Sequence, residues 1–64
     1  MPYSMVKRDE IVLKIERNLR KFELPEHRKT IRGNDSVRWL IKNLSRSNSD
    51  NPKYDETMEL LKSL

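Results

Sequence analysis

Apolar side chains in this chain recur at steps of three and four, and nowhere do they alternate with polar ones at a step of two. At about 100° per residue the first spacing builds one face of an α-helix, whereas a half-buried strand needs the second. The chain is therefore expected to be all-α. Three stretches carry the pattern, and they are separated by the residues that interrupt helices.

The first stretch holds Val12, Ile15, Leu19 and Phe22, with Met5 and Ile11 on the same side. Ser4 is its expected N-cap. Pro25 disfavours helical geometry at Leu24, so the helix is expected over 6–22. Glu10 with Lys14 and Glu16 with Arg20 stand four apart in the favourable order for ion pairing. Pro25 also suits the first position of a further short helix near 25–31, which Gly33, the only glycine, would stop in a left-handed conformation. Asn34 or Asp35 is then the expected cap of a helix over 36–45, with Val37, Leu40, Ile41 and Leu44 as its buried stripe. Residues 45–51 contain no apolar side chain and are expected to form a mobile polar loop. Asn51-Pro52 restarts a helix over 52–63, with Asp55 and Glu56 in the first turn where the helix dipole favours negative charge. Tyr54, Met58 and Leu61 form its stripe. Ile15, Leu19, Phe22, Leu40, Ile41, Leu44, Met58 and Leu61 are the expected core.

A chain of 64 residues makes one small domain, here 1–64, with 1–4 expected to be a flexible N-terminus. A chain this short buries only about 60% of its unfolded surface, so the core is thin and a deep pocket has little room. With no cysteine it has no disulfide staple, thiolate nucleophile or Cys-ligated zinc. His27 is the only histidine and has no acids spaced around it as a metal or acid/base partner set would require. One glycine cannot build a phosphate cradle, and the paired acids Asp9-Glu10 and Asp55-Glu56 diverge on a helix. A non-enzymatic protein without cofactor or metal is expected. No unbroken apolar run exceeds three residues, as in Ile11-Val12-Leu13. That excludes a secretory signal or membrane span within the sequence and points to a cytoplasmic protein.

Charge is what distinguishes the chain. The net charge is +4, and residues 17–46 carry nine Lys or Arg against three acids. Residues 47–64 instead carry two Lys against four acids. A polyanion partner for the basic part is the physical reading of such asymmetry. Trp39 lies off the apolar stripe of its helix, and Lys42, Asn43 and Arg46 follow it at helical spacing. Aromatic and basic groups on one face suit nucleic acid, where rings stack on bases and cations meet phosphates. With Arg28, Lys29, Arg32 and Arg38 they make the candidate interface. The competing view is that Trp39 packs into the thin core, since Trp is highly buried on average. Lys7, Lys14, Arg17 and Lys21 stand opposite the apolar face of the first helix and are expected to be an ordinary solvated face.

Two functions follow from these residues. One is a helical module whose basic face contacts nucleic acid. The other is a regulatory adaptor that binds a larger protein through Trp39 and exposed apolar surface, with a homodimer as a variant if a stripe stays uncovered. Residues 25–45 also have the length of a helix-turn-helix, although the chain lacks the alanine that lets two such helices approach closely.

Overall fold

The computed structural model describes residues 3–64, with side chains from Lys7 onward. It contains three helices, α1 (Tyr3–Leu19), α2 (Gly33–Ser47) and α3 (Tyr54–Lys62), and a single 3₁₀ turn at Glu26–Arg28. No strand occurs among the described residues, so the chain is a small all-α domain. α3 packs against both α1 and α2. α1 already runs from Tyr3, which puts Ser4 inside its first turn rather than at its cap. Met1 and Pro2, half of the segment expected to be flexible, lie outside the described residues, as does the side chain of Met5.

α1 ends three residues earlier than Pro25 alone would demand. Lys21 N–H donates to Asn18 O at 3.0 Å and Phe22 N–H to Leu19 O at 3.1 Å, tightening the last turn in the usual manner of a helix end. The turn drops Phe22 into the core and sends the chain out at Glu23. There the Asn48 side chain accepts the Glu23 N–H at 3.1 Å and donates to its carbonyl at 3.5 Å, so the backbone is held by an amide instead of by more helix.

The expected helix near 25–31 shrinks to the turn at Glu26–Arg28. Its would-be donors are taken elsewhere: Ile31 N–H by the Glu16 carboxylate at 3.0 Å, Arg32 N–H by Ser36 Oγ at 2.7 Å. Glu16 is thereby diverted from Arg20. Lys29–Glu26 is the one ion pair within 4 Å among the described residues, so neither expected pair on α1 forms. Gly33 does adopt a left-handed φ of +78°, but it opens α2 instead of closing the preceding turn. The start of α2 is satisfied by Ser36, whose hydroxyl also donates to Gly33 O at 2.8 Å, and not by Asn34 or Asp35.

α2 continues through Ser47, so 45–47 are helical and the connection to α3 is the shorter stretch 48–53. That connection is tied down by polar groups. Asn48 is 7% exposed, and Asn51 donates from Nδ2 to Lys21 O at 2.8 Å. Asn51 Oδ1 accepts the Lys53 N–H at 2.8 Å within the turn that precedes α3. α3 starts at Tyr54 with Lys53 at its N-cap and no side-chain cap bond, so the expected restart of the helix at Asn51-Pro52 comes two residues later.

The core consists of Ile15, Leu19, Phe22, Val37, Leu40, Leu44, Met58 and Leu61. All eight lie on the helical stripes, and seven of them belong to the expected core, which had Ile41 in place of Val37. Ile41 is only half-buried and packs against the cluster from its edge, while Val37, one turn earlier on the same stripe, is buried at 8% exposure.

Candidate nucleic-acid interface

α2 presents its apolar stripe inward, and this fixes where its cations go. Arg38, Lys42 and Arg46 follow one another at steps of four and therefore stand in one ridge, about 12 Å long. All three are exposed. None has a carboxylate within 4 Å among the described residues. Asn43, expected to share this face, turns its amide back to Trp39 O at 2.8 Å and is half-buried.

Beside the ridge runs the strap of residues 20–32. It is pinned at Glu23 by Asn48 near the C-terminal end of α2, and at Arg32 by Ser36 near the N-terminal end. The strap therefore travels antiparallel along the helix, and Arg28 meets Trp39 midway. The Arg28 guanidinium carbon lies 4.5 Å from the centroid of the indole ring. Such a cation–π contact is worth about 0.5–1 kcal/mol at a partly exposed site.

Trp39 is half-buried and packs against the core cluster. Its ring is not the open stacking platform expected from its place off the stripe, because the strap folds over it. The periodicity of α2 alone carries no sign of that strap. Arg28 and Arg32 line one shallow depression of about 300 Å³ together with His27, Asp35 and Ser36. Lys29 is the least available cation of the set: its side chain is 20% exposed, and its ammonium lies 3.3 Å from Glu26.

The structure thus brings Arg28 onto Trp39 and aligns Arg38, Lys42 and Arg46 beside them. Lys29 stands aside in its ion pair. A three-residue 3₁₀ turn cannot serve as the first helix of a helix-turn-helix, which removes that arrangement.

On the opposite flank of α1, Lys14 and Arg17, expected to belong to an ordinary solvated face, line a concave surface instead. There Lys14, Arg17 and Asn18 meet Lys53, Glu56 and Leu60 across a cleft of about 380 Å³ between α1 and α3. Asn18 is 8% exposed, and its Nδ2 donates to Glu56 Oε2 at 2.7 Å and to Thr57 Oγ1 at 3.1 Å. A one-dimensional pattern places Asn18 and Thr57 beside the apolar stripes but gives no sign that they pair.

No helix among the described residues is long and apolar enough to cross a membrane, and no group of three His, Cys, Asp or Glu is placed to hold a metal ion. Compared with known proteins, the chain matches no family model, no curated protein and no solved structure.

Proposed function

We propose that this domain is a non-enzymatic binding module whose α2 ridge contacts the phosphate backbone of nucleic acid. The observation that carries the reading is the ridge of Arg38, Lys42 and Arg46, exposed and without a carboxylate partner. Like charges four apart on a helix cost about 0.2–0.5 kcal/mol per pair, so the free domain bears an unfavourable term that a bound polyanion relieves. Arg28 and Arg32 extend the cationic surface from the strap. Trp39 acts through Arg28, holding its guanidinium over α2, and not by stacking on bases.

The adaptor reading requires exposed apolar surface next to Trp39. Leu13 on α1, at 62%, is the exposed large hydrophobic among the described residues, and a lone exposed leucine is ordinary surface. That favours a contact made by charge over one made by apolar burial.

Fluorescence anisotropy with a labelled duplex and a labelled single strand, measured between about 20 and 300 mM salt, tests the proposal. Binding at low salt that is lost steeply as salt rises is expected, with a log–log slope of about −0.7 to −0.9 per phosphate contact. Absence of binding to either probe at the lowest salt overturns it.

A further inference from the structure

The cleft between α1 and α3 is lined by three cations, Lys14, Arg17 and Lys53, and one acid, Glu56. None of the three cations lies within 4 Å of a carboxylate among the described residues. Glu56 is instead engaged by the buried Asn18, which holds its Oε2 at 2.7 Å. Asn18 spends its amide protons on Glu56 and Thr57, so it fixes the acid while the cations stay free. The backbone at Lys53 is held by Asn51, whose Oδ1 accepts the Lys53 N–H at 2.8 Å and whose Nδ2 donates to Lys21 O at 2.8 Å. Leu60 supplies an apolar wall.

We infer that this cleft is a second anion site, taking a phosphate group of a nucleic-acid backbone. Three basic residues lining one concave surface raise the positive potential there, and Glu56, hydrogen-bonded by Asn18, leaves the lining with a net charge of two. The chemistry recognised is the phosphate dianion or diester: Arg17 offers a planar fork of donors, and Lys14 and Lys53 offer point charges. The site lies away from the ridge, because α1 turns Glu16 toward the strap and Asn18 toward α3. One domain therefore has two separate cationic contacts. This inference rests on the proposed function for its ligand, but not for the cleft's affinity for phosphate.

Two sets of measurements distinguish the two. Wild type, R17Q/K53Q and K42Q/R46Q are compared by anisotropy against the same labelled duplex across the salt range. R17Q/K53Q is expected to flatten the slope by about 1.4–1.8 units, as K42Q/R46Q does, since each lost contact removes about 0.7–0.9. E56Q keeps an acceptor for Asn18 and removes the one negative charge, and is expected to tighten binding about threefold. R17Q/K53Q binding with wild-type affinity and slope, while K42Q/R46Q is weakened, overturns the cleft and leaves the ridge standing. In the second arm inorganic phosphate is titrated into wild-type protein and the Asn18 side-chain amide and Lys53 backbone amide are followed by NMR. Saturable shifts at both, absent in R17Q/K53Q, support the cleft even if the duplex fails to bind, and then name a free phosphate compound as its ligand. Unmoved resonances together with an unchanged duplex slope in R17Q/K53Q overturn the inference.

Discussion

Asn48 ties the C-terminal end of α2 to the chain leaving α1. Its amide matches both the N–H and the carbonyl of Glu23, 25 positions away, and its own backbone N–H closes α2 on Leu44 O at 2.9 Å. Asn48→Ala leaves the Glu23 N–H without that partner in a part-buried site, at a cost of about 1–3 kcal/mol. Urea denaturation should show a lower midpoint at unchanged slope. A loss below about 0.5 kcal/mol would show that water takes the place of the amide. Arg28→Ala should shift the Trp39 emission to the red as the ring loses its cover, with a stability loss of at most about 1 kcal/mol. These residues are the part of the molecule least legible in the sequence. An asparagine in a Ser-Asn-Asp run has the same pattern whether it faces water or a backbone 25 residues away. Asn18, Ser36 and Thr57 are buried polar groups for the same reason: only the folded chain places their partners.

Among the elements, α2 carries both the interface and the clearest conflict between stability and binding. Lys42→Glu converts two repulsive steps, Arg38–Lys42 and Lys42–Arg46, into attractive ones. It should stabilise the helix by about 0.5–1 kcal/mol and raise the melting temperature by a few degrees, while abolishing duplex binding. Lower thermal stability in that variant would remove the ridge repulsion from the account. Gly33 matters at the other end of α2. A Cβ built there meets no atom within 4 Å, so Gly33→Ala tests backbone conformation alone. At a φ of +78° it should cost about 1–2 kcal/mol, and Gly33→Asn less. Hydrogen exchange should find the amides of residues 45–47 protected within α2, and that of Asn51, bonded to Asn48 O at 3.0 Å, slower than those of Ser49 and Asp50. The helices themselves were legible because each stripe runs at helical spacing and proline or glycine separates them. Their ends were not, since side chains from other segments decide where each helix stops. Glu16 and Ser36 cut the second helix to a turn, and the same Ser36 starts α2 earlier than Asn34 would.

For the whole molecule, eight buried apolar side chains hold three helices and a strap together. Leu40 is fully buried between them, and Leu40→Ala should cost about 2–5 kcal/mol, a large share of the roughly 5 kcal/mol margin usual for a small domain. Two-state thermal unfolding followed by circular dichroism measures it. Above this thin core lies a surface with a net charge of +4, its cations concentrated on the ridge, the strap and the α1–α3 cleft. The imbalance between residues 17–46 and 47–64 was readable in sequence. Its division into two separate contacts was not, because that depends on which flank of α1 meets α3. The most direct test of the central claim is the salt dependence of duplex binding by wild type and by R38Q/K42Q/R46Q, with circular dichroism confirming that both are folded. The triple variant should lose about 2–3 units of log–log slope and at least about tenfold in affinity at low salt. A folded triple variant that binds with the wild-type slope and affinity would contradict that claim.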